Sequence, residues 1–566
     1  MNQVVLVYLL ALGLAWPLGR YMAAVYSRDT MLDRAFGWIE RPLYRLAGVD
    51  PNRPMDWRDY ARAILKLHAF LAVGVFALLV FQGHLPLNPD HVRGMRWDLA
   101  LHTAASFLTN TDQQHYAGQT QLSYLAQMLA IVTLQVVTPA TGVAALAAIV
   151  RTLLGRAEDR GRTTDGQVSV GNFHADLVRG IVRLLLPLAF GLALVLAWQG
   201  VPSTFHGAQT VHTLDPAASL HEQHVPVGPV APMVSIKQIA TNGGGWYGAN
   251  AATPLSNPTP LTNFLETVAI ILLPMACVVM AGYLGRRMRL AGGILVIMMV
   301  LSVTLSGLAI GAERQPNPAF AGLAAPGPNL EGKEVRIGAT ASALWASLTT
   351  QTSNGSVNAT HDSLNPLGGL AALMGMFVNA TFGGVGVGLI NFLVFMLLAA
   401  FLGSLMIGRS PEFLGRPIET KEIKLISVTL LIQPLLSLGM TAAAFALPGV
   451  AHNSNPGFHG VSQVLYEYAS AFANNGSGFE GLGDATTWWN LSCTVNLILG
   501  RFIPILAPLA IAAHLASKRT APRGRGSLDV QTPTFGVLAL CVIVMFALLS
   551  FLPVLVLGPI AEALSP

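Results

Sequence analysis

Residues 241–245 read Thr241-Asn242-Gly243-Gly244-Gly245, directly after a short apolar run, 233–240. Three other stretches carry the same kind of small, polar tip: Thr109-Asn110-Thr111-Asp112, Thr352-Ser353-Asn354-Gly355 and Asn474-Asn475-Gly476-Ser477-Gly478. The runs before them, 99–108, 342–348 and 461–473, allow only a few helical turns. A helix needs about 20 apolar residues to cross a bilayer. One such tip alone reads as an exposed turn. Four of them, each followed by a long apolar stretch, read as membrane segment, half-helix, polar return and membrane segment, repeated four times. Irregular backbone at membrane depth is tolerated only when buried or lining a water-filled cavity. The four returns are therefore expected to line one pore. Asn110, Asn242, Asn354 and Asn475 mark the repeat, at intervals too long for a solenoid and in strongly diverged units.

Composition supports a membrane chain. Hydrophobic residues make up 53% of the 566 positions and charged ones 11%, against about 25% charged in soluble domains. Ten stretches approach spanning length: about 3–20, 63–82, 123–150, 177–198, 264–285, 290–311, 384–407, 425–448, 489–514 and 534–558. The first has no basic residue before it, which argues for a retained helix rather than a signal peptide. An all-α polytopic fold follows, with four pore repeats around a pseudo-four-fold axis and one extra helix at each end. The expected divisions are 1–22 (extra helix), 62–150, 176–288, 289–409 and 422–517 (four pore repeats), and 533–560 (extra helix).

Charge placement orients the chain. Lys and Arg gather in 20–66, 151–183, 286–289, 409–424 and 518–525, whereas 198–263 holds only Lys237 and 449–500 none. Basic loops stay cytoplasmic, so both termini and all four tips are expected on the outer face. The net charge of +5 lies in these loops rather than in a nucleic-acid-binding stripe. Cys277, Cys493 and Cys541 show no metal spacing and read as small apolar residues.

A potassium ion enters a narrow pore when protein oxygens replace its water, and four strands supply one ring of carbonyls per level. Such strands need unusual backbone angles, which glycine adopts freely and asparagine better than most. Gly243, Gly244, Gly355 and Gly476 meet that need. The first tip has no glycine before Gly118 and must manage with Asn and Thr. The tip residues Asn110, Thr111, Asp112, Thr241, Asn242, Gly243, Gly244, Ser353, Asn354, Gly355, Asn474, Asn475 and Gly476 are the candidate potassium set.

Two features lie outside the tips. Phe382-Gly383-Gly384-Val385-Gly386-Val387-Gly388 interrupts an apolar segment, either for close helix packing or as a flexible intramembrane gate. Arg501 sits in an apolar run where a charge costs about 2.5–3.5 kcal/mol; it either snorkels to the inner surface or serves the ion path. Other signals are weak. Gly327 to Glu334 mimics a phosphate-binding loop through Lys333 but lacks the Ser or Thr that holds magnesium. His206, His212, His221 and His224 read as a solvated loop. No nucleophile–base constellation supports a membrane enzyme.

The stretches 109–114, 122–124, 241–250, 357–363, 382–386 and 473–479 closely resemble KdpA, the potassium-binding subunit family of the bacterial Kdp pump, in order over about 1–560. The resemblance implies high-affinity potassium uptake across the bacterial inner membrane. It adds Gln114 to the filter set and places Arg501 in the cavity below, with Gly383, Gly384 and Gly386 in the gate. Implied partners are a P-type ATPase subunit (KdpB), KdpC, a small KdpF peptide and the lipid bilayer, with no nucleic acid. Potassium is the transported ion, and no nucleotide binds this chain, which lacks the Asp-Lys-Thr-Gly-Thr motif. The family usually has Asn at Asp112, so this filter gains a carboxylate. It tends to have Glu at Asn379. A stand-alone channel-like or secondary transporter of the same superfamily is the alternative. A potential of 100 mV supplies about 2.3 kcal/mol per charge, enough for about a 50-fold gradient. Scavenging trace potassium requires more.

Overall fold

All ten apolar stretches form helices long enough to span a bilayer, from Asn2–Tyr26 to Pro533–Leu564. The computed structural model describes residues 2–27, 30–155, 161–215, 219–320, 327–520 and 529–565. Of the basic loop positions, Arg28, Arg156, Arg160, Arg523 and Arg525 lie outside the described residues.

Between the terminal helices, four units repeat one plan: long helix, short helix, irregular tip, long helix. The short helices are Trp97–Leu108, Val230–Ile239, Ala339–Gln351 and Phe458–Ala473, close to the runs expected from sequence. Burial sorts the long helices into two layers. In Ala126–Leu153, Pro260–Leu284, Val387–Met406 and Thr487–Ser517, 61–83% of the most apolar window is buried. In the leading helix of each unit the share is 22–39%. Second helices thus pack at the centre and first helices face outward, with side chains such as Phe70, Val73 and Phe190 exposed. Exposed apolar side chains on such helices suit a lipid surround.

The third unit departs from this plan. Its second helix is split into Pro366–Val378 and Val387–Met406. Asn379 ends the first piece in a left-handed conformation (φ 40°), and Phe382, Gly383 and Gly386 also have positive φ. A side chain at Gly386 would overlap the backbone of Gly142 on a neighbouring inner helix. The Gly-rich stretch is therefore a wedged, irregular segment rather than a tightly packed helix.

Two weak sequence signals resolve into structure. Lys333, the lysine of the phosphate-loop mimic, is fully buried with its Nζ 2.9 Å from Glu313 Oε2, which occupies it in an ion pair. His212, His221 and His224 fall in or beside an exposed hairpin, Gln209–His212 against Glu222–Val225.

The C-terminal segment is clamped to the fourth short helix. His459 Nε2 lies 2.8 Å from Asp362 Oδ1, and its Nδ1 lies 2.8 Å from Glu562 Oε1. Burial alone lowers the imidazole pKa, but hydrogen bonds to the two carboxylates outweigh it and lift it to about 9. Gln463 Nε2 and Asn455 Nδ2 also donate to Asp362 (2.6 and 3.1 Å), and Glu480 accepts from its backbone N–H. Because the folded pKa lies above the ordinary value, the stabilisation is complete below about pH 6.5 and is lost as pH rises through 9. Amide protection over 561–565, corrected for the intrinsic rise of exchange with pH, is expected to fall across that window in the native chain. In His459→Gln it should be low at every pH.

Candidate pore-loop site

Each short helix ends and the chain then makes one common turn. The backbone N–H groups of Thr111, Asn242, Asn354 and Asn475 donate to Ser106, Lys237, Thr349 and Ser470 carbonyls, five residues back in every case, at 2.9–3.2 Å. Structural equivalence therefore runs Thr111, Asn242, Asn354, Asn475. Spacing of the asparagines had put Asn110 in the first place. It lies one position earlier, level with Thr241, Ser353 and Asn474, and all four have φ between 47° and 63°.

The next level holds Asp112, Gly243, Gly355 and Gly476, with φ of 56°, 61°, 85° and 100°. Positive φ at this level is what glycine provides. Asp112 adopts it in the first tip, since Asp and Asn visit the left-handed region more readily than other side-chain-bearing residues. The first strand thus manages with Asn110 and Asp112, and Thr111 is not the residue that bends. Room for the Asp112 side chain comes from the second tip: a Cβ at Gly244 would stand 2.9 Å from Asp112 Cβ.

The four tips meet in a closed ring. Asn110 Nδ2 donates to Thr241 O (2.9 Å), Asn354 Nδ2 to Lys237 O (3.0 Å), Asn475 Nδ2 to Thr349 O (2.8 Å) and Asn474 Nδ2 to Thr111 Oγ1 (2.9 Å). Glycines face carbonyls around the same circuit. A methyl group at Gly243 would overlap Asn354 O, one at Gly355 would overlap Asn475 O, and one at Gly476 would overlap Thr111 O. Strands approach this closely only where side chains are missing. In the third and fourth tips, Asn354 and Asn475 repeat one turn, each Oδ1 accepting from the N–H and hydroxyl of the serine two residues on.

Surrounding side chains hold the tips in place. Gln135 Nε2 donates to Asp112 Oδ2 (2.7 Å) and Gly243 O (3.1 Å). Asp112 Oδ1 is buried without a hydrogen-bond partner among the described residues. Gln114 pairs reciprocally with Gly245, at 2.6 and 3.1 Å, joining the first two tips. Buried Lys237 reaches Asn250 Oδ1 at 2.5 Å, and Asn250 Nδ2 donates to Gly244 O at 3.0 Å. Sequence reading gave no role to Gln135 or Asn250, and treated Lys237 only as a topology mark. A lone lysine in a segment otherwise free of basic residues was the available signal.

The split helix abuts the second and third tips. Val385 N–H donates to Thr241 Oγ1 (2.9 Å), Gly383 N–H to Gln351 O (2.8 Å) and Ser353 Oγ to Asn379 Oδ1 (3.2 Å). Arg501 is buried, its Nη2 2.9 Å from Thr138 O and its Nε without a partner among the described residues. It stays inside the bundle rather than snorkelling out. Gly384 lies beside Ser353.

Four inner helices, four short helices and one closed ring of tips define a multi-pass membrane protein of the pore-loop class. A solved structure with this fold, the potassium transporter TrkH from Vibrio parahaemolyticus, matches with a TM-score of 0.50 and 15% identity, covering 89% of this chain and 98% of that one. The family model for the potassium-transporting ATPase A subunit, KdpA, matches residues 5–564, and the chain belongs to that family. A relative from Gloeobacter violaceus is 46% identical over 99% of this chain and 97% of its own. Another, from Pseudomonas putida, is 44% identical over 97% and 96%. Both are potassium-transporting ATPase potassium-binding subunits.

Proposed function

We propose that this chain takes potassium from the outer side of the bacterial inner membrane in the four-tip ring. It then passes the ion inward as the ion-binding subunit of an ATP-driven uptake pump. The observation that carries this reading is the closed circuit of tips, with Gly243, Gly355 and Gly476 each against a carbonyl of the next strand. Carbonyls held in a ring can replace the hydration shell of a monovalent cation. Coordination is assigned to residues at the levels of Asn110, Thr111 and Asp112 and their counterparts Thr241, Asn242, Gly243, Gly244, Ser353, Asn354, Gly355, Asn474, Asn475 and Gly476. Gln114 fixes the spacing of the first two tips.

The segment 382–388, wedged beneath two tips, acts as a gate. The Arg501 guanidinium places positive charge below the ring, which opposes direct escape of potassium to the cytoplasm. A P-type ATPase subunit supplies the energy, with KdpC and KdpF completing the assembly. The basic loops face the cytoplasm and both termini face outward.

Potassium-stimulated ATP hydrolysis by the purified complex tests the reading. Hydrolysis must require this chain and respond to potassium at low concentration. A chain that conducts potassium into vesicles without any ATPase would instead be a stand-alone transporter.

Asp112 gives a sharper expectation. With a cation in the ring, its unpartnered carboxyl oxygen is favoured in the charged form and attracts cations with little regard to their size. Asp112→Asn is expected to raise the half-saturating potassium concentration about tenfold, equivalent to about 1.4 kcal/mol. Discrimination against sodium should hold or improve. Potassium and sodium titrations of the ATPase rate measure both.

A further inference from the structure

Where the fourth unit meets the first, a second cluster lies beside the ring. We propose that His115, Glu467 and Cys493 form a binding site for a divalent metal ion of borderline softness, such as zinc, distinct from the potassium path. Their ligand atoms lie within 4.8 Å of one another, and all three residues are buried.

Hydrogen bonding fixes how the imidazole is presented. Arg96 donates both Nε and Nη2 to Asp98, so Asp98 is an acceptor. Asn490 must then meet Asp98 Oδ2 with its Nδ2, at 3.1 Å. That turns Asn490 Oδ1 toward His115 Nδ1, 2.8 Å away, and makes Nδ1 the protonated nitrogen. Metal-ligating histidines are oriented in this way, with the second ring N–H held by an oxygen acceptor. His115 Nε2 is left facing Glu467 Oε1 at 3.0 Å. Gln113 Nε2 donates to that same carboxylate oxygen and steadies it.

Two acceptors in that contact require a positive charge between them. A proton alone would satisfy that pair without drawing on the sulfur as a ligand. A metal ion uses all three groups, since imidazole, carboxylate and thiolate are the zinc ligand types. Carboxylate and thiolate offset the charge of a divalent ion, and Asp484 is a further acidic neighbour of the cluster. Gly478 lies beside Glu467 Oε2 without a side chain, which leaves the fourth position to that oxygen or to water.

The site would staple the first tip to the fourth short helix and the last inner helix. The first tip is more than 350 residues from the other two in sequence. Zinc bound there would stabilise ring closure without touching potassium.

Metal analysis of the tag-free complex decides the matter, after chelator treatment and reconstitution with zinc alone. About one zinc per chain is expected, with X-ray absorption showing one sulfur at about 2.3 Å. Cys493→Ser and His115→Gln should each lose most of that zinc. The proposal is overturned by less than about a tenth of an equivalent, by a metal shell lacking sulfur, or by zinc retained in Cys493→Ser. The absorption spectrum of the native complex decides the question even where a variant fails to assemble.

Discussion

Gly355→Ala in the assembled pump is expected to raise the half-saturating potassium concentration by on the order of 10²–10³-fold. The reason is local and steric. Gly355 holds φ at 85°, and an added methyl would overlap Asn475 O on the next strand. A left-handed side-chain-bearing residue costs about 1–2 kcal/mol and overpacking about 1–3 kcal/mol. Together, about 2–5 kcal/mol falls on one seam of a four-part ring. The third and fourth tips must separate or rotate, and the carbonyl ring proposed to hold potassium loses its geometry. Potassium titration of the ATPase rate measures the shift. Gly311→Ala is the control, because nothing lies within 4 Å of a Cβ there. It should leave the titration unchanged. An unaltered titration in Gly355→Ala would mean that the ring does not bind the ion.

Lys333→Met is expected to cost the most stability, about 3–5 kcal/mol. Lys333 Nζ and Glu313 Oε2 are 2.9 Å apart and neither side chain is exposed. Glu313 also accepts from Asn365 N–H at 2.7 Å and Asn329 Nδ2 at 2.8 Å. One carboxylate therefore joins the end of the Met288–Glu313 helix to the segments on both sides of the third short helix. Removing the lysine strands a buried charge, whereas removing both charges does not. The double variant Lys333→Met with Glu313→Gln should regain most of the loss. The fraction of complex surviving a heat challenge, read by size-exclusion chromatography, compares the three proteins.

The spans and short helices were legible because they rest on local physics. An apolar run of about 20 residues has few alternatives to a membrane helix, and Gly243-Gly244-Gly245 cannot continue one. Alignment of the tips was less legible. Asn110 and Asn475 look equivalent in sequence, yet the hydrogen bonds five residues back pair Asn475 with Thr111. Asn110 and Asn475 each stand two residues past the end of a short helix, so the offset lies in the turn that follows, and only its hydrogen bonds tell the two apart. Nor did composition single out Lys237, Gln135 or Asn250, whose value lies in partners 6 to 108 residues away. Cys493 read as a small apolar residue because its neighbour His115 is remote in the chain and Glu467 stands at no metal-ligand spacing from it.

From sequence alone came the membrane fold, the fourfold plan, the family and the outline of the tips, because hydropathy and backbone permissiveness are properties of neighbouring residues. Only the tertiary structure decided how the ring closes. It set Asp112 at the level of three glycines, opposite Gly244, and it brought His115, Glu467 and Cys493 to one point. Those arrangements depend on contacts between segments hundreds of residues apart, where geometry, not local propensity, selects the partner.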